Sequence, residues 1–466
     1  MQVGFATRCI TPEPGAQIPG LFEKRIGIGT HDDLHVRALV VDDGNHCVAL
    51  VQVDAIFVPE RLVAAARKHA ARWCPIAAEA CFIAATHTHS GGPAVGCFLS
   101  EADPAYVDFV ARQAGAAIAE AHRRMQPALA GTGTASAPGV AFNRRFRMRG
   151  GAERTHPGKG HPDIVEPVGP EDDTVTVVGF CDPKDRSPIG CIVNFACHAT
   201  HMNGVLYSAD YPRWIIDTLQ AVHGPDFGVV FLNGAAGDVT QVDNRSDRPM
   251  ELGPYWCERT GRTVGGAAVQ ALARMDYYKR ATVAADRTKP RISIRETGVS
   301  ERKAARALLK RKEITAADVE TVYARELLEV EKLRRKSSEC RPEIMGVRIA
   351  DAFFWGVPAE LFQSLAREVR QGSPFPHTCC IELANGYDGY ICTAQAFDGG
   401  GYEVRTARSS FLERDAGTKV VSAAKRLAKK MYADAEKELR ELPDRRTWPA
   451  FEDPSALDGI SQLKAK

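Results

Sequence analysis

The segment Thr86-His87-Thr88-His89-Ser90-Gly91-Gly92-Pro93 follows an apolar run, Cys81 to Ala85, and carries two imidazoles one residue apart. A short apolar run closed by Gly-Gly-Pro reads as a buried strand and its exit. Side chains alternate along a strand, so His87 and His89 are expected to point one way and Thr86, Thr88 and Ser90 the other. Two imidazoles on one face suit a divalent metal such as zinc, or one ligand beside a proton-transfer partner. His-x-His also describes an ordinary polar strand face, and the motif alone does not separate the two readings.

Four further segments repeat the design of an apolar strand with an unusual polar tip. Ile192 to His201 delivers His198, with His201 three residues on as an alternative ligand; Val229 to Thr240 delivers Asp238 and Thr240 after a glycine-rich turn. Phe353 to Leu361 is expected to place Glu360 in the first turn of a helix over 359–370, and Ile381 to Tyr390 ends in the phenols of Tyr387 and Tyr390. Each has a plain structural account: a satisfied core histidine, a carboxylate favouring a helix dipole, strand-edge aromatics, a turn hydroxyl. In open α/β sheets ligands gather beyond the carboxyl ends of strands, so these tips are expected to converge on one cleft. Asp210 is expected to cap a helix starting at Tyr211 or Pro212, or to hydrogen-bond a histidine; Asp54 has the same two options. Arg145, Arg147 and Arg149 share a face if extended, either solvated or meeting an anionic or sugar-like substrate group. The Gly/Pro-rich stretch 155–163 reads as a loop over the site.

The elements that must position these residues are strands interleaved with helices. Apolar runs recur at 48–53, 81–85, 174–179, 190–196, 228–232, 347–357 and 378–383, with helical periodicity at 105–125, 258–275 and 359–370. That alternation predicts an α/β fold, a mixed buried β-sheet flanked by helices with the active site at strand C-terminal ends. Residues 301–337 are Lys/Arg/Glu-rich and read as a solvated helical hairpin insertion, with Thr315 as a helix cap before Ala316. A last helix is expected near 418–439, then a polar tail from Pro443. The domain reading is a catalytic domain over 1–415, then a C-terminal helix and tail over 416–466.

The chain has 466 residues, 44% apolar and 25% charged, with a net charge of +2. Nothing in that balance points to nucleic acid or to a membrane surface. No span approaches ~18 apolar residues and no signal-peptide core opens the sequence. The thirteen cysteines are scattered without a CxxC pair, and a reducing cytoplasm is the expected compartment.

Taken together the motifs resemble those of the neutral/alkaline (non-lysosomal) ceramidases, a family of zinc amidases. The matching pieces are Thr86-His87-Thr88-His89-Ser90-Gly91, Asn143-Arg144, Asn194 to Thr200, Gly237-Asp238-Val239-Thr240, Val357-Pro358-Ala359-Glu360 and Asn385-Gly386-Tyr387-Asp388-Gly389-Tyr390. They stand in the family's order and cover roughly residues 4–410. The resemblance implies one zinc held by His87, His198, Glu360 and Tyr390, with His89, Arg144, Asp238 and Thr240 around the substrate. It implies amide hydrolysis by metal-activated water, with Arg144 facing the developing oxyanion and His89 or Asp238 moving the proton. The family usually carries serine where this chain has Thr240, and it continues into an immunoglobulin-like domain where this chain is expected to end in a helix and tail. The substrate expected is a small-molecule or lipid amide. The alternatives are a polar amide or ester, such as an acylated sugar or amino acid, and a non-catalytic metal-dependent binding protein.

Overall fold

The computed structural model describes residues 1–278 and 281–440, without the side chains of 437–440. Its frame is three mixed sheets rather than one. In the first, β1 (Gln2–Cys9), β2 (His35–Asp42), β3 (Cys47–Val53) and β4 (Cys81–Ala85) lie side by side, with a two-residue edge strand at Gln126–Pro127. In the second, β5 (Leu129–Ser136), β6 (Thr174–Cys181), β7 (Pro188–Phe195) and β8 (Gly228–Asn233) do the same, edged by Tyr277–Tyr278. The third holds β9 (Val283–Thr288), β10 (Ile344–Ile349), β11 (Ala352–Gly356) and β12 (His377–Ile381). The apolar run 347–357 is therefore two antiparallel strands, not one, because the chain reverses at Ala350, whose φ is +54°.

Each sheet contains one parallel pair: β3 with β4, β7 with β8, and β11 with β12. Parallel neighbours need a crossover, and helices supply it. Helices α1 (Glu60–Ala70) and α2 (Pro104–Arg123) cover the first sheet, and α3 (Tyr211–His223) and α4 (Pro254–Ala273) the second. The sequence signals these helices locally. Asp103 accepts from the amides of Ala105 and Tyr106 ahead of Pro104, and Asp210 caps α3 ahead of Pro212.

The charged hairpin is α5 (Val299–Arg311) and α6 (Val319–Lys336), so α6 begins after Asp318 rather than at Ala316. It is not merely solvated: α6 buries Val322, Tyr323, Glu326 and Val330. The third sheet is covered by α7 (Gln363–Gly372) and α8 (Ala416–Arg440), which buries Val420, Ala424, Leu427 and Met431. The expected polar tail from Pro443 lies outside the described residues. The inner faces of all three sheets meet in one core through Leu50, Phe82, Phe180, Val230, Val347 and Phe354. Backbone bonds then stitch the parallel strands' carboxyl ends together. The amide of Glu382 donates to Asn233, and those of Ala85 and Asn385 exchange with Leu383 and Ile83.

Candidate metal centre

β4 stops at Ala85, and the amides of Thr86 and His87 turn back onto the carbonyls of Val53 and Ala55. His87 has φ +69°, so it and His89 do not share a face by strand alternation; a bend brings them together. Their ring centroids lie 4.9 Å apart, and that of His198, from the tip of β7, lies 4.4 Å from His87. Each ring is oriented by a backbone carbonyl at Nδ1. Ile56 receives His87 at 2.8 Å, Gly20 receives His89 at 3.0 Å and Ala236 receives His198 at 2.7 Å. A carbonyl only accepts, so each Nδ1 carries a proton, and the neutral form of each ring presents a lone pair at Nε2; burial opposes the charged form of His87, but the Glu360 carboxylate raises its pKa above the ordinary value. Nε2 of His87 and of His89 is buried without a hydrogen-bond partner. One atom from each of the three imidazoles fits within 4.8 Å of the others, so the group can hold a metal ion. Gly20 is needed for this approach: a Cβ there would sit 2.9 Å from Nδ1 of His89.

Glu360 completes the cluster from an unexpected element. It lies in a two-residue strand paired in parallel with Tyr390-Ile391, and α7 starts three residues later. Its Oε2 sits 3.4 Å from Nε2 of His87 and 3.3 Å from Nε2 of His198. Its Oε1 accepts from the Tyr387 hydroxyl at 2.8 Å. Gly237 is the glycine that permits this strand, since a Cβ there would meet the Glu360 carbonyl carbon at 2.8 Å. Burial alone would raise the Glu360 carboxyl, but His87 and His198 hold it well below the usual range. Burial depresses His198 to about 3, helped by Arg144, and burial with the charges of its two neighbours holds His89 well below its ordinary value. Buried imidazoles converging through Nε2, with a carboxylate between them, are a donor set for zinc and also for iron or manganese.

Arg144 closes the site from the side. It is 2% exposed, and its Nη1 meets Nε2 of His198 at 3.1 Å while Nη2 donates to the Gly237 carbonyl and to the Tyr390 hydroxyl. Its Nε donates to Glu403, a fully buried carboxylate whose other oxygen accepts from Arg145 and Thr155. In front lies a cleft of about 420 Å³. Leu21, Phe22, Phe98, Val242, Leu252 and Tyr323 give it apolar walls, while Thr240, Gln241 and Asn244 form a smaller polar strip. Tyr323 comes from the charged hairpin.

Among solved structures, neutral ceramidase from Pseudomonas aeruginosa superposes on 92% of this chain and 74% of its own, with TM-score 0.69 and 16% identity. A ceramidase complexed with C2 covers 96% of this chain and 76% of its own, again at TM-score 0.69 and 16% identity. This chain has the neutral ceramidase fold. No protein-family profile and no curated protein sequence matches it.

Within that ceramidase fold the sequence-selected residues part company. His87, His89, His198, Glu360, Arg144, Tyr390 and Thr240 all line the cleft, and so do His156 and Gly158 of the stretch 155–163. Asp238 does not line it. Its Oδ1 accepts from the Gln363 amide at the start of α7, and its Oδ2 from Asn143, so this buried carboxyl ties two elements together. His201 is turned away: Nδ1 meets Asp210 at 2.8 Å and Nε2 meets Thr260 at 3.0 Å. Asp210 both caps α3 and holds that histidine. Asp54 accepts from Gln52 and the His35 amide and reaches no imidazole.

The arginine cluster is not in the cleft apart from Arg144. Arg145 is buried on Glu403 and Glu153, whereas Arg147 and Arg149 lie outside against Glu166 and Asp163. Sequence reasoning missed Tyr402, Glu403 and Arg25. The Tyr402 ring lies 5.0 Å from the Arg144 guanidinium. Buried Arg25 donates to the carbonyls of His89, Pro19, Asn203 and Gly204, fixing three cleft loops. No local spacing marks any of the three. Tyr387, one of the two phenols in the segment 381–390 but not among the implied ligands, holds Glu360 through its hydroxyl.

Proposed function

We propose that this chain is a zinc-dependent hydrolase of an N-acyl amide with an apolar acyl group. The observation that carries the reading is the convergence of three imidazole Nε2 atoms and one carboxylate on the lining of a largely apolar cleft. His87, His198, Glu360 and Tyr390 would hold the ion. When bound there, zinc would polarise the scissile carbonyl and lower the pKa of water toward ~7.

The chain's own residues supply the rest. His89 Nε2, neutral at physiological pH because burial depresses it, is placed to take a proton from water and return it to the leaving amine. Arg144, fixed by Glu403 and Gly237, faces the negative charge that develops on the carbonyl oxygen. The aromatic wall of Phe22, Phe98 and Tyr323 takes the acyl chain and excludes water. Thr240 Oγ1 anchors the substrate's polar side, with its methyl restricting rotation. Asp238 acts through structure by holding Asn143 and the start of α7.

The ceramidase fold supports the amide class, and the apolar walls favour a lipid-like acyl group over the polar amide or ester alternative. The test is turnover of N-lauroyl and N-acetyl amides of the same amine, with and without a chelator. We expect the N-lauroyl compound to be preferred and its turnover to vanish on chelation. Chelator-resistant turnover, or preference for the acetyl compound, would contradict the proposal.

A further inference from the structure

Behind the cleft lies a second and larger cavity, a groove of about 820 Å³ against about 420 Å³. Phe57 and Tyr387 line both. Their rings stack at 3.7 Å with 8° between planes, so this pair forms a shared wall. The loop carrying Tyr387 is conformationally forced, with positive φ at Leu383, Asn385 and Gly389. Such backbone persists where its surroundings over-determine it, commonly beside ligand sites.

The groove is lined by five cationic side chains, Arg61, Arg67, Arg287, Lys289 and Arg341, against the carboxyls of Glu60, Glu343 and Asp388. Arg67, Arg287 and Lys289 converge on the single Glu343 carboxylate at 2.8, 3.0 and 3.1 Å. Arg287 also reaches Glu79, which lies outside the groove. Arg61 and Arg341 are exposed, and neither has an ion-pair partner among the described residues. Beside these charges the groove's apolar wall is the half-buried Tyr387 ring stacked on Phe57, with Val95, Pro342 and Pro358 buried behind it. A cationic mouth over an apolar surface matches an anion with a hydrocarbon tail; a bare ion would leave that surface wet.

We propose that this groove binds a single-chain carboxylate, its head at Arg61 and Arg341 and its chain along the Phe57–Tyr387 wall. The acid product of the hydrolysis proposed above has this chemistry, and the inference rests on that reading only for the ligand's source. A chain on that wall touches the ring whose hydroxyl holds Glu360, so the groove borders the metal cluster through one side chain.

The experiment is calorimetric titration of decanoate into zinc-loaded protein, comparing wild type with the Arg61→Glu/Arg341→Glu double variant. Both positions are exposed, so the variant is expected to melt with the wild type and to retain basal amide turnover. Any decanoate entering the cleft is common to both proteins, and only the difference is read. Binding at the groove is expected to weaken at least tenfold in the variant, with 1-decanol unaffected and inorganic phosphate not bound there. Equal decanoate isotherms, no decanoate binding, or phosphate bound as tightly as decanoate would each overturn the groove assignment. Amide turnover assayed on the same preparations separates the two claims: its absence in both defeats the hydrolase reading, while the binding difference still decides the groove.

Discussion

His198 and His201 stand three residues apart on one loop, yet they belong to two different kinds of site. His198 gives its Nδ1 proton to backbone carbonyls and turns Nε2 toward His87, Glu360 and Arg144. His201 has both nitrogens occupied by side chains, Asp210 on one and Thr260 on the other, and is 1% exposed. One histidine belongs to an open-valence cluster facing a cleft; the other is a closed hydrogen-bond unit that joins α3, α4 and the 198–210 loop. The lesson is that a histidine's function is read from where its second nitrogen goes. An Nε2 that converges on other imidazoles and a carboxylate at a cleft defines the candidate ligands, and a ring held at both nitrogens by residues away from the cleft defines a structural one.

The largest test of that contrast is His198→Ala against His201→Ala. The first is expected to lose bound metal and lower amide turnover at least 10³-fold. The second is expected to keep metal but lose about 1–3 kcal/mol of stability, read from denaturant midpoints, because Asp210 and Thr260 are left buried without their partner. Metal loss in His201→Ala with retention in His198→Ala would reverse the assignment.

Glu403→Gln sharpens the account one step away from the metal. Glu403 orients Arg144 without facing the reacting atoms, so kcat is expected to fall about 10–100-fold with KM within about twofold. Bound metal should be unchanged. Equal losses in kcat and metal would mean that the network merely holds the fold.

The smallest effect concerns a third kind of histidine. His35 has a buried Nδ1 without a partner, and its pKa is lowered to about 4, first by burial and then by Arg37 and Arg213. A depressed folded-state pKa means the unfolded chain binds the extra proton. Its stabilisation is therefore complete above about pH 6.5 and is lost as pH falls toward 4. Thermal melting of His35→Gln should show a shallower decline than wild type between pH 7 and 5; parallel curves would remove His35 from the acid response.

Much of this was legible from local pattern. The apolar runs at 81–85, 190–196 and 228–232 became strands, and the segments after them carry His87 and His89, His198, and Thr240. Pairing was not legible, because period-two alternation says that a strand is buried and not which strand lies beside it. Three sheets therefore read as one, and β1, β2, β5 and β9 do not stand out as apolar runs. Glu360 looked like a helix start because its neighbours favour helix, but parallel pairing with Tyr390 overrides that propensity. Glu403 and Arg25 act through contacts more than 50 residues away in sequence, where spacing carries no signal. Asp238 lies in a glycine-rich motif that spacing marks as a site, and only its hydrogen bonds show that both oxygens are already committed.

The most direct measurement is elemental analysis of purified wild type, His87→Ala and His201→Ala after reconstitution with zinc. The account predicts about one zinc per chain in wild type and in His201→Ala, and none in His87→Ala. A wild type that takes up no metal, or a His87→Ala variant that keeps it, would contradict the account and return the clustered imidazoles to a structural role.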